Sequence, residues 1–170
     1  MHYASDLIQL FNQTFEASHN TILVGGGEEP LYLPADQNHL RHRIIFRLDY
    51  FASGLHEIAH WCIAGRQRRQ QVDYGYWYEP DGRDAQQQAR FEAVEARPQA
   101  IEWAFSRACQ KTFRISLDNL DGPIEQSRRF QAKVEATLRT LEEKGFPPRA
   151  QTFISVLSVY YQRHPGAWDR

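Results

Sequence analysis

The sequence predicts an α+β fold: a single compact domain over residues 1–170, with mostly helices around a small sheet. Long segments with apolar residues at helical spacing greatly outweigh a few short β-branched segments. The length of 170 residues suits one domain with a proper core and would be cramped for two. The composition, 42% hydrophobic and 24% charged, is that of an ordinary globular protein.

The first part of the chain predicts two helices separated by short strands. Apolar residues at helical spacing predict the first helix over residues 5–16. Short β-branched or alternating segments predict strands over 21–24, 31–33 and 42–48. The second helix is predicted from about residue 50 to residue 64, with Gly65 as its C-terminal cap.

The second part of the chain predicts mainly helices. An aromatic segment over 72–79 favours a strand, and the turn 80–82 follows it. A helix is predicted over 84–95, and Pro98 is expected to kink it or to open a second helix that ends near Cys109. A short strand over 113–117 and helices over 123–144 and 149–163 complete the prediction.

Composition also restricts the class of function. The formal net charge of -1 argues against direct nucleic-acid binding, which favours a strong basic excess. No segment approaches the roughly 20 apolar residues of a membrane span, and the N-terminus lacks the features of a signal peptide. Cys62 and Cys109 have no CxxC spacing, so we expect a cytoplasmic protein with reduced thiols.

The segment HEIAH predicts a metal site. His56 and His60 are four residues apart on a predicted helix and therefore point to one side, close enough to chelate a single ion. Ser53, His56, Glu57 and His60 form a polar stripe on an otherwise apolar helix, which favours an enclosed cavity over a solvated surface. Two chance histidines on an amphipathic helix are the alternative.

A third ligand is expected, because catalytic metal sites usually have three protein ligands. The segment FEAVEARPQAIEW supplies Glu92, Glu95 and Glu102, with Gln99 between them. A continuous helix would bring these four residues to one face. Glu95 is the preferred ligand because it is central and just precedes Pro98.

These ligand types leave the metal and the reaction open. An HExxH motif with a distant glutamate is typical of a zinc peptidase, in which Glu57 would act as the general base. The same set matches the 2-His-1-carboxylate triad of non-haem Fe(II) oxygenases. A nuclease-like or non-enzymatic module that binds a metal and a translation component is a third hypothesis.

Four longer motifs favour the iron enzyme. The strings GLHEIAHWCIAG, VDYGYWYEPDGRD, FEAVEARPQAIEW and SLDNLDG resemble the bacterial elongation factor P hydroxylase family. The resemblance implies an oxidoreductase that uses Fe(II) and O2 to hydroxylate the β-lysyl-modified lysine of elongation factor P. It also implies a fold close to a single-domain metalloprotein similar to a bacterial endoribonuclease, and the ligands His56, His60 and Glu95.

The substrate side chain that this resemblance implies carries two ammonium groups on a long apolar stem. Such a group needs aromatic walls and carboxylates around it. The candidate substrate-binding residues are Tyr76, Tyr78, Glu92, Gln99 and Glu102. Glu57 is the candidate catalytic residue, and in a hydroxylase it would orient a ligand.

Overall fold

The computed structural model describes residues 2–73, 84–116 and 124–163. This part of the chain confirms the prediction of helices around a small sheet. The strands are β1 (Thr21–Gly27), β2 (Leu31–Leu33) and β3 (His42–Arg47). The helices are α1 (Ala4–His19), α2 (Phe51–Ile63), α3 (Ala85–Ala108), α4 (Ile124–Lys144) and α5 (Pro148–Arg163), with a short 3₁₀ helix at Arg68–Gln70.

The three strands form one sheet in the order β1-β3-β2. β1 is parallel to β3, whereas β2 is antiparallel to β3. Leu23, Ile44 and Phe46 are buried, as expected when alternate residues of a strand face the core. Tyr32 of β2 also pairs with Asp73 through two backbone hydrogen bonds, so the chain after the 3₁₀ helix returns to the sheet edge. The rest of the predicted strand over 72–79 lies outside the described residues.

Helix α2 packs against α1, α3, α5 and β3. Its apolar face, which includes Leu55, Ile58 and Cys62, is almost fully buried in the hydrophobic core. Gly54 allows the close approach of α1, because a Cβ atom at this position would lie 2.6 Å from Leu7 Cδ2. The polar stripe of the helix is thereby held on the side that faces α3.

Helix α3 runs without interruption from Ala85 to Ala108, so the prediction that Pro98 opens a second helix is wrong. A proline inside a helix removes one backbone donor, here the partner of the Val94 carbonyl. Val94 is 46% exposed, so the interruption lies on the exposed side of the helix. The helix is well anchored at its start, because Asp84 and Gln87 form a reciprocal capping box.

The strand predicted over 113–117 is absent from the described residues, since 111–116 have no regular structure. The side chain of Gln99 bonds to the backbone N–H and carbonyl of Ser116, at 3.0 and 2.6 Å. A side-chain amide thus takes the place of a neighbouring strand.

The end of α2 is also built differently from the sequence prediction. Gly65 does not adopt the left-handed conformation of a C-terminal cap. Instead, Arg149 donates from Nη2 to the carbonyl oxygens of Cys62 and Ala64, at 3.0 and 2.7 Å. None of the helices in the described ranges is both long and apolar enough to span a bilayer.

Candidate metal centre

The two histidines of α2 meet as their spacing predicts. Their Nε2 atoms lie 3.0 Å apart, and both side chains are partly buried. At this distance both rings cannot be protonated at Nε2, because two N–H donors would then face each other without an acceptor. A shared cation or a proton on one ring only is the chemically reasonable occupant of the space between them.

Glu95 of α3 completes a group of three. Its Oε1 lies 3.1 Å from Nε2 of His60, and its Oε2 lies 3.5 Å from Nε2 of His56. Glu95 is 1% exposed, and its possible ligand atom and those of the two histidines all lie within 4.8 Å of one another. A carboxylate buried this deeply requires positive charge beside it.

Glu102 contacts the other side of His56. Its Oε2 lies 2.8 Å from Nδ1 of His56, so the ring is held between two carboxylates of α3. Glu95 and Glu102 are seven residues apart, about two helical turns, which brings both side chains to the same face. When Nδ1–H of His56 donates a hydrogen bond to the carboxylate of Glu102, Nε2 is the nitrogen that can bind a metal.

Gln99 lies between these two glutamates on the same face. Its Nε2 donates to the carbonyl of Ser116 and lies 3.4 Å from Oε2 of Glu95. The backbone pairing with Ser116 fixes the amide, and the amide in turn orients Glu95. Sequence reasoning placed Gln99 near the site but had no signal for Ser116, because the contact depends on how the segment after α3 folds back.

Glu92 and Glu57 are not among the three residues that could hold a metal. Glu92 is half-buried and lies 3.4 Å from the side-chain amides of Gln88 and Gln126, the latter on α4. Glu57 lines a neighbouring cavity of about 40 Å³ together with His60. Tyr76 and Tyr78 lie outside the described residues.

The charges of the site are strongly coupled. Burial alone would lower the pKa of His56, but the hydrogen bond and charge of Glu102, followed by the charges of Glu95 and Glu57, raise it to about 10. Burial would raise the pKa of Glu95, but the hydrogen bond and charge of His60, with the charge of His56, lower it to about 2. The pKa of Glu57 is raised, chiefly by burial. These shifts favour a protonated His56 beside an ionised Glu95.

These residues fit a divalent transition metal. Two imidazole nitrogens and one carboxylate oxygen suit both zinc and non-haem iron, and three protein ligands leave coordination positions for other groups. A divalent cation would also take over the role of the His56 proton beside Glu95.

Comparison with known proteins then places the chain in a family. Residues 10–169 match the family described as elongation factor P hydroxylase. The chain belongs to the elongation factor P hydroxylase family. The protein of Haemophilus influenzae named elongation factor P lysine hydroxylase is 44% identical over 160 residues, which cover 94% of this chain and 90% of that protein. The resemblance drawn from the sequence motifs is thus confirmed.

In this member of the elongation factor P hydroxylase family, we expect metal binding to release a proton. His56 has a pKa of about 10, so its Nε2 is protonated at neutral pH and must lose that proton to bind a metal. The apparent affinity should therefore rise with pH, by up to about tenfold per unit between pH 6.5 and 8. Anaerobic calorimetry with Fe(II) in buffers of different ionisation enthalpy measures the number of protons released.

Glu102→Gln is the control for this proton count. The variant removes the charge that contributes most to raising the pKa of His56, so less than one proton should be released at pH 7. An affinity that does not change between pH 6.5 and 8 in the wild-type protein would contradict the prediction.

Proposed function

We propose that this protein is a non-haem iron hydroxylase, a protein-modifying monooxygenase that acts on the β-lysyl-modified lysine of elongation factor P. The proposal depends on one observation: a member of the elongation factor P hydroxylase family has two imidazoles of one helix and a buried carboxylate of another within 4.8 Å. A relative named for lysine hydroxylation of the same factor supports the substrate class. Acting on a translation factor, the enzyme would work in the cytoplasm.

In this proposal His56, His60 and Glu95 hold Fe(II). The bound metal would supply the activation of O2, the co-substrate, through its open coordination positions. The task of the protein is to present three ligand atoms in one geometry and to keep the site otherwise dry. The 1% exposure of Glu95 supports this role.

Glu102 and Gln99 are best explained as residues that position the ligands. Glu102 would keep a proton on Nδ1 of His56, so that Nε2 is directed to the metal. Gln99, fixed by Ser116, would hold one oxygen of Glu95 and leave the other toward His60. These contacts favour positioning over the direct substrate contact first predicted for both residues.

Recognition of the substrate needs other groups. Among the described residues Glu92 contacts two side-chain amides, each at 3.4 Å, and we expect its carboxylate to approach an ammonium group of the β-lysyl-lysine. Tyr76 and Tyr78 stay predicted substrate-binding residues on the aromatic segment. Direct contact with nucleic acid is not required in this proposal.

The decisive experiment is mass spectrometry of β-lysylated elongation factor P. The substrate is incubated with this protein, Fe(II), a reductant and O2, and digested to the modified peptide. We expect a gain of one oxygen on that peptide, and no gain when the enzyme or the iron is left out. An unchanged mass with an iron-loaded, folded protein would refute the proposed function.

A zinc metallopeptidase is the second candidate, and one observation favours it. Glu57 lines the same cavity as His60 and has a raised pKa, as a general base requires. Replacing it distinguishes the two reactions. In a hydroxylase Glu57→Gln should keep much of the activity, because oxygen activation at iron needs no base that activates water.

In a peptidase the same substitution should cost about 100-fold or more, the lower end of general-base contributions. Hydroxylation of elongation factor P and cleavage of a casein substrate are measured side by side for the wild-type protein and Glu57→Gln. A proteolytic activity that disappears in the variant would overturn the hydroxylase proposal.

A further inference from the structure

A second cluster of polar side chains surrounds Trp61, the residue that follows His60. Its members come from four parts of the fold: the end of α1, the sheet, the 3₁₀ helix and the start of α5. We call it the arginine cluster. His19 and Arg149 contact the Trp61 indole, and Tyr32 and Arg69 line the same cavity as Trp61. The fifth member, His42, stacks on the ring of Tyr32. Trp61 is 3% exposed, so the centre of the cluster is buried.

Arg149 lies flat on this indole. Its guanidinium carbon is 4.5 Å from the centre of the Trp61 ring, a typical cation–π distance. Its Nη2 caps α2 by donating to the carbonyl oxygens of Cys62 and Ala64, so this nitrogen of the guanidinium has its acceptors. Its Nη1 is buried and has no hydrogen-bond partner among the described residues.

Two more buried donors have no acceptor in the described part of the chain. They are Nε of Arg69 and Nε1 of Trp61. Both side chains line the cavity of about 40 Å³ that also contains Glu57 and His60. A buried donor without an acceptor costs about 1–3 kcal/mol, and more when it is charged, so three such donors in one cluster need an explanation.

The cluster also has an excess of positive charge. Neither Arg69 nor Arg149 forms an ion pair within the described ranges, whereas the neighbouring Arg68 pairs with Asp73. Burial and then the charge of Arg69 lower the pKa of Arg149, so the two guanidiniums repel each other. Burial and then both arginines lower the pKa of His19, which favours a neutral ring. The cavity is also lined by Glu57 and by Asp73, the partner of Arg68. Arg69 and Arg149 are the cations of the cluster without an ion pair in the described ranges, and they favour an anion.

We propose that the arginine cluster is a binding site for a small oxyanion, a carboxylate or a phosphate group, which accepts hydrogen bonds from Arg69, Arg149 and Trp61. A charged acceptor satisfies guanidinium donors best. The cavity is larger than the 10–15 Å³ or so that one water needs, so it has room for a compact anionic group. The argument for this anion site does not depend on the proposed hydroxylase function, although His60 lines the same cavity.

Arg69→Gln tests the site with little risk to the fold, because the Arg69 side chain makes no hydrogen bond or ion pair with the described residues. Arg66→Gln is the matched control: it removes the same charge from an exposed position three residues away. Inorganic phosphate and acetate are titrated separately into the full-length protein at constant ionic strength. NMR follows the indole N–H of Trp61, assigned with Trp61→Phe, and the Nε–H of Arg69.

We expect a saturable shift of both resonances at millimolar phosphate or acetate. Arg69→Gln should weaken the binding at least tenfold, and Arg66→Gln should leave it unchanged. The tighter of the two anions identifies the source as a phosphate or a carboxylate group. A linear, unsaturated response to both anions, or equal affinity in Arg69→Gln, would overturn the proposal. The unfolding temperature gives a second measure. If the site is specific, the added anion should raise this temperature in the wild-type protein and in Arg66→Gln but not in Arg69→Gln.

Discussion

His60→Ala is expected to abolish metal retention and hydroxylation while the protein still folds. His60 contributes Nε2 at 3.1 Å from Glu95 and 3.0 Å from His56, so its loss leaves two of three proposed ligands. Replacing only an outer-shell partner of a metal typically costs 10–100-fold in affinity or activity. The loss of a ligand itself should therefore exceed roughly 100-fold.

The fold should tolerate this change. The His60 ring is not part of the hydrophobic core, and the buried face of α2 is formed by other residues. Metal content after anaerobic loading and dialysis is measured for His60→Ala and for His39→Ala, an exposed histidine outside the site. Circular dichroism verifies that both variants are folded. Full metal content in folded His60→Ala would remove the basis of the proposed centre.

For α2, the sequence alone predicts that both histidines lie on the same side of the helix. Four-residue spacing fixes the side that His56 and His60 share, whatever surrounds the helix. The same rule, applied over two turns, brings Glu95 and Glu102 to one face of α3. This rule does not predict how far each carboxylate reaches toward the histidines, because that depends on how α3 packs against α2. Glu95 thus reaches both Nε2 atoms, whereas Glu102 reaches Nδ1 of His56.

The errors have a common physical cause. Local preference alone predicts a break at Pro98 and a strand over 113–117, and tertiary contacts override that preference. Burial of Ala96, Ala100 and Ile101 holds α3 together through the proline. Gln99 gives Ser116 the backbone partners that a strand would have provided. The arginine cluster was missed for the same reason, because its members come from distant parts of the chain.

The second large effect is expected for Glu95→Ala. This substitution removes a carboxylate that is 1% exposed and carries the negative charge between the two histidines. Two imidazoles alone bind a divalent metal weakly, and Glu102 cannot substitute because it lies at the opposite ring nitrogen of His56. We expect Glu95→Ala to lose iron and hydroxylation, by more than roughly 100-fold in metal affinity.

Two variants on the same helix face serve as controls for this assignment. Glu92→Ala should keep the metal and at most weaken substrate binding, because Glu92 contacts only the amides of Gln88 and Gln126 among the described residues. Glu102→Ala should fall between the two, with about a 10–100-fold loss of metal affinity, the range for a group that orients a ligand. Metal content and product yield are compared for the three variants. If Glu95→Ala keeps its iron while Glu92→Ala or Glu102→Ala loses it, Glu95 is not the third ligand, although the contribution of His56 and His60 would stand.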